Sequence, residues 1–211
     1  AYITTDLDDN QITAFHPGAM NHAHEIAIPT DAGGRIGIVS PNGKQGMMEH
    51  SRQFAEAGIP FVFDPGQGLP MFDGDELARL VELATWVSVN DYESHLLAER
   101  MGMSIERIAE RVQALVVTRG AEGSVIHCNG GQLQIPAAKP DAVVDPTGCG
   151  DAYRAGLLYG LVRDLDWAVT GRLASLLGAI KVAHAGTQNH RFDRDSIVER
   201  YRAAFGHTPE L

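Results

Sequence analysis

The chain has 211 residues, 44% of them apolar and 21% charged, which is enough for one sizeable α/β domain or two small ones with a real core and leaves no case for disorder. Its formal net charge of −10 argues against an electrostatic grip on nucleic acid or an anionic membrane, and no apolar run approaches the roughly 18 to 20 residues that span a bilayer. Two cysteines, Cys128 and Cys149, are too few for a disulfide framework, and the opening lacks a signal-peptide layout, so reduced thiols and a cytoplasmic address are expected.

In chain order, residues 3–5 and 11–15 are β-prone runs separated by Asp6-Leu7-Asp8-Asp9-Asn10, whose side chains favour a turn, and they read as two antiparallel strands. The chain opens at Ala1 inside this hairpin, so an N-terminal piece is expected to precede it. Residues 16–34 are polar and aperiodic. From Ile36 a regular alternation begins, with short apolar strands at 36–40, 60–64, 86–90 and 115–120. Between them lie helical patterns at 46–57, stopped by Gly58, then at 75–84, 93–100 and 105–113. Strands 124–128 and 132–136 flank Asn129-Gly130-Gly131 as a hairpin. Helices at 149–163, 167–185 and 195–205 close the chain. The expected fold is α/β, a mostly parallel sheet flanked by helices, over residues 35–211, with residues 1–34 as a small β element and its connection.

The chemistry is densest at Asp145-Pro146-Thr147-Gly148-Cys149-Gly150-Asp151, where a glycine-rich turn feeds a helix. The first amides of a helix have no partner within it and carry the positive end of its dipole, so they suit a phosphate. Asp151, at the same helix start, is placed to accept a proton from an attacking hydroxyl. Taken alone the loop is weak, because Thr147 or Asp151 as a cap and glycines as a turn explain it better. No Lys-Ser or Lys-Thr follows the glycines, so it is not a Walker A loop.

The run from Asp145 to Gly156, DPTGCGDAYRAG, closely resembles the second signature of the ribokinase-like, phosphofructokinase-B-type family. Asn90-Asp91-Tyr92-Glu93, Thr118-Arg119-Gly120-Ala121-Glu122-Gly123 and Ala183-His184-Ala185-Gly186-Thr187 follow that family's order, and the resemblance covers Ile36 to the C-terminus. It implies a small-molecule kinase using ATP and Mg²⁺, with Asp151 as catalytic base and an anion hole built on the amides of Gly148, Cys149 and Gly150. The family usually has alanine where Cys149 stands. Asn90 and Glu93, a cap and a first-turn acid on their own, are implied to organise magnesium through its waters. Thr118 and Gly120 match the family's nucleotide contact at a strand end. Arg119 is either a phosphate-neutralising charge or a surface arginine. Gly123, Thr147 and His184 complete the nucleotide side, with turn, cap and packing as their plainer alternatives.

On the acceptor side Asp64, at a strand's carboxyl end, is a candidate for touching substrate, against a simple turn. His22-Ala23-His24 has metal-like spacing but no partner cluster, so solvated loop histidines are expected. Residues 1–16 look like the end of the family's β lid, and residues 6–20 are similar to adenosine-kinase-like members. Phe15 is then a surface for stacking a base, or lid packing. The expected acceptor is a nucleoside, adenosine at its primary hydroxyl, with a sugar as alternative and a non-catalytic nucleotide sensor as the competing class. A homodimer through the lid is implied by the same resemblance.

Overall fold

The computed structural model describes residues 2–5, 11–29 and 36–209. β1 (Tyr2–Thr5) and β2 (Gln11–Ala14) pair antiparallel, Tyr2 opposite Ala14, as a two-stranded sheet of their own. The turn predicted at residues 6–10 and the boundary predicted at residues 34–35 fall outside the described residues. The stretch read as irregular contains a 3₁₀ segment, Gly18–Glu25, that packs on α1 (Lys44–Glu56).

The main sheet has six strands in the order β3 (Gly37–Val39), β4 (Phe61–Phe63), β5 (Trp86–Asn90), β6 (Ala114–Thr118), β7 (Ser124–Cys128) and β8 (Gly131–Ile135). The first four run parallel, and β6, β7 and β8 are antiparallel neighbours. Side chains alternate across a strand, and here that alternation sorts two cores. Phe61, Phe63, Val87, Val89, Leu115 and Val117 face α1, α2 (Gly74–Leu83), α3 (Asp91–Met101) and α4 (Ile105–Ala109). Val62, Trp86, Ala114 and Val116 face the other way, onto Tyr153 and Leu157 of α5 (Cys149–Val162) and Ala174 of α6 (Trp167–Val182). α7 (Arg194–Phe205) covers α6 through Ile197 and Tyr201.

α5 and α6 lie close because glycines face the contact: a Cβ on Gly156 would come within 2.6 Å of Ala174 Cα, and one on Gly160 within 2.4 Å of Thr170 Oγ1. Several helix ends differ from the sequence pattern, three of them for an evident reason. α4 stops at Ala109 rather than 113 because Arg111 and Val112 turn back with i→i−3 bonds. α1 begins at Lys44, since the Gly43 carbonyl already accepts from Met47. α6 ends at Val182, where the following residues close onto the loop before α5.

Candidate active site

Parallel strands deliver their carboxyl ends to one edge of the sheet, so Asp64, Asn90 and Thr118, which follow or end β4, β5 and β6, emerge together. Asn90 lies opposite Thr118 in register. Asn90 caps α3, its Oδ1 accepting from the Glu93 amide at 2.8 Å while Glu93 Oε2 accepts from the Asn90 amide at 2.8 Å. That reciprocal box holds the Glu93 carboxylate at the edge, with its other oxygen uncommitted among the described residues.

The loop before α5 is pinned from both sides. Asp145 Oδ1 accepts from the Thr147 amide at 2.9 Å and Oδ2 from the Gly186 amide at 2.8 Å, and these bonds, Thr147's first, hold its carboxyl down at about 2. Val144 and Asp145 both donate their amides to the Val182 carbonyl at the end of α6. Beneath them Lys181, fully buried, donates Nζ to the Asp145 carbonyl at 2.7 Å and to the His184 carbonyl at 3.2 Å. The loop thus rests on the last turn of α6.

Gly148 enters α5 at φ +83°, a left-handed conformation that side chains rarely adopt. The Cys149 amide donates to the Pro146 carbonyl at 3.1 Å. The amides of Gly148, Gly150 and Asp151 find no acceptor among the described residues, so the open donors differ by one position from those expected. Burial pushes the Cys149 thiol above its ordinary range. The Asp151 side chain, 84% exposed, projects from the first turn beside these amides.

Arg154, one turn further along α5, joins two carboxylates. Its Nη2 donates to Asp64 Oδ1 at 2.8 Å, its Nε lies 2.5 Å from Asp64 Oδ2, and its Nη1 lies 3.5 Å from Asp151 Oδ1. Asp64 is 1% exposed, and burial pushes its carboxyl up to about 6 against the pull of the guanidinium. Asp64 therefore meets Arg154 rather than open solvent.

On the other side of α5 a cavity of about 380 Å³ is lined by Thr118, Gly120, Gly123, Cys149, Gly150 and Tyr153 among others. Tyr153, its hydroxyl 2.7 Å from Ser124 Oγ, is pushed up to about 12 by burial. Gly123 is required by its turn, since at φ +89° a Cβ would lie 2.0 Å from the Ile135 carbonyl. Arg119 is surface-exposed, 4.0 Å from Asp91. His184 is not among the lining residues; its ring bonds the Ile180 carbonyl at 2.9 Å. Phe15 is 58% exposed beyond the end of β2. His22 pairs with Glu25 at 2.7 Å instead of with His24. A wider hollow of about 640 Å³, lined by Glu106, His127 and Trp167 at the starting end of β6, contains none of the predicted site residues.

Asp145, Arg154 and Lys181 are the residues to which sequence reasoning gave no role. Two of them had a signal: Lys181 is the lone charge in the second half of an apolar helix, and Arg154 is the only charge besides Asp151 in α5.

Residues 1–193 match the pfkB family carbohydrate kinase profile. The chain belongs to that family. It is 32% identical over 200 residues to a nucleoside kinase of Methanocaldococcus jannaschii, covering 95% of this chain and 66% of the relative. A nucleoside kinase of Methanothermobacter thermautotrophicus is 33% identical over 214 residues, covering 100% of this chain and 69% of the relative. The nucleoside kinase of Burkholderia thailandensis in complex with inosine superimposes with a TM-score of 0.94 at 53% identity, over 99% of this chain and 68% of that one. The same protein in complex with ADP-inosine gives 0.92 at 54% identity, over 98% and 65%. The chain thus spans about two thirds of the length of these pfkB-family relatives. Among its described residues no helix is long and apolar enough to cross a membrane.

Proposed function

We propose that the chain carries the nucleotide-binding and base-bearing part of a nucleoside kinase, moving the γ-phosphoryl group of ATP to a hydroxyl of a purine nucleoside. The observation that carries this reading is the first turn of α5: an exposed carboxylate, Asp151, beside three amides with no acceptor among the described residues and next to a cavity on the sheet's carboxyl edge. Likeness to a protein solved with inosine supports a purine nucleoside as acceptor. Adenosine at its 5′-hydroxyl stays our specific expectation. Phe15 remains our candidate for stacking the base, and residues 1–34 for the lid.

The nucleotide lies along the cavity with its phosphates toward the amides of Gly148, Gly150 and Asp151. As the acceptor oxygen bonds to the γ-phosphorus, the bond from that phosphorus to the bridging oxygen breaks and ADP departs with its electron pair. The hydroxyl proton passes to Asp151. Positioning and electrostatics supply most of the rate. Thr118, Gly120 and Thr147 contact the nucleotide in this reading. Magnesium, when bound, neutralises phosphate charge. The free oxygen of Glu93, beside Asn90, fits a metal-bound water, and the described residues hold no cluster of three acidic, His or Cys ligands that would replace the metal's waters.

The test compares kcat/KM of the full-length protein with Mg-ATP across adenosine, inosine, guanosine, cytidine, ribose and fructose. A purine nucleoside should lead. A sugar in first place would overturn the nucleoside reading, and ATP binding without any product would favour a sensor over an enzyme. Tyr2 and Ile12 stand exposed on the β1–β2 sheet, which we take as the contact between two copies; a strict monomer in sedimentation would contradict that.

A further inference from the structure

Three carboxylates surround the place where phosphoryl transfer is proposed: Asp64 after β4, Glu93 on α3 and Asp151 on α5, with Glu93 and Asp151 both close enough to bear on the Asp64 charge. A triphosphate entering there meets like charge from three elements. Arg154 is the cation among them. Its side chain is 20% exposed against 2% for Asp64, so the pair is largely removed from water. A buried pair of this kind contributes little net stability, because desolvation offsets the attraction, so folding alone gives weak reason for the two charges to be there.

The direction of the guanidinium gives a better reason. Nη2 bonds Asp64 Oδ1 and Nε, with no hydrogen-bond partner of its own among the described residues, lies beside Oδ2, which leaves Nη1 directed along the first turn of α5. A Cβ placed on Gly150 would lie 2.7 Å from Nη1, so this nitrogen sits against the backbone whose amide is open for an anion. At 3.5 Å from Asp151 it is beside the proton acceptor as well. A glycine at position 150 is thus what lets the guanidinium reach the anion-binding turn.

We propose that Arg154 is a catalytic residue: anchored on Asp64, it presents Nη1 to a non-bridging oxygen of the phosphoryl group as that group passes from ATP to the acceptor. This rests on the kinase reading above. Arg154 exchanges no proton or electron; bonds form and break as already written, and the guanidinium stabilises charge on the equatorial oxygens. Asp64 acts through Arg154 and is a positioning residue.

The experiment uses the full-length protein, with Arg154→Met, Arg154→Lys and the pair Asp64→Asn/Arg154→Met. Loss of one oxyanion donor typically costs about 10² to 10³ in kcat, so Arg154→Met should fall by that order while KM for ATP stays within about threefold. Arg154→Lys should recover part of the loss, and the pair, which removes both buried charges and so guards against misfolding, should be as slow as Arg154→Met. Near-normal kcat in Arg154→Met, or recovery in the pair, overturns the proposal. A second readout needs no turnover: affinity for ADP with aluminium fluoride against ADP alone. The gain should be present in the unmodified protein and lost in Arg154→Met, and equal values in the two overturn the role of Arg154. An unmodified protein that phosphorylates nothing counts against the kinase reading separately.

Discussion

Arg154 Nη2 donates to Asp64 Oδ1 at 2.8 Å across 90 residues of chain, tying the end of β4 to the second turn of α5. This bond couples the site to pH. Burial raises the Asp64 carboxyl from 3.8 to about 6, with Arg154 opposing and Glu93 and Asp151 adding to the rise. Between those two values the folded chain keeps a proton that the unfolded chain has released. Asp64's contribution to stability therefore grows as pH falls through that window and is lost as pH rises through about 6. Activity should move the opposite way, since a neutral Asp64 no longer anchors Arg154. An acid limb near pH 6 in the rate profile, absent from Asp64→Asn, is expected. An identical limb in Asp64→Asn would assign it elsewhere.

Lys181→Met should unseat the loop before α5. The variant leaves the Asp145 and His184 carbonyls without their buried donor, which costs roughly 1 to 3 kcal/mol for a buried acceptor. Denaturant unfolding reads the stability change, and a raised KM for ATP reads the displaced turn. An unchanged midpoint and KM would mean that Val144 and Asp145, bonded to Val182, hold the loop alone.

Gly156→Ala tests the α5–α6 contact. The added methyl would meet Ala174 Cα at 2.6 Å, backbone that has no rotamer to yield, so a loss of roughly 1 to 3 kcal/mol is expected. Stabilisation, as helix propensity alone favours, would show that the helices can separate freely.

Glu93→Gln keeps the capping bond to the Asn90 amide but removes the charge. It should raise the magnesium concentration needed for half-maximal rate at fixed ATP while leaving the unfolding midpoint nearly unchanged. An unaltered magnesium titration would leave Glu93 as a helix cap only.

The features legible in the sequence are local ones. The Asn90/Glu93 box and the glycine turn into α5 announce themselves within a few residues, because a cap and a turn are made of neighbours. The two cores follow from strand alternation, Phe61 and Phe63 against Val62. What was not legible depends on distant partners. Asp64 reads as a turn residue until Arg154 arrives from another element, and the Cys149 amide looks open until Pro146 is seen to accept it. Lys181 is a charge in an apolar helix, but its acceptors exist only once the loop folds over it.

The most direct test of the account is Asp151→Asn in the full-length protein, assayed for turnover with Mg-ATP and a purine nucleoside alongside ATP affinity by titration. Asparagine keeps the shape beside the open amides but cannot take the proton, so kcat should fall by about 10² to 10⁴ with ATP affinity within a few-fold. Near-normal turnover in Asp151→Asn would contradict the assignment of α5's first turn as the seat of the chemistry.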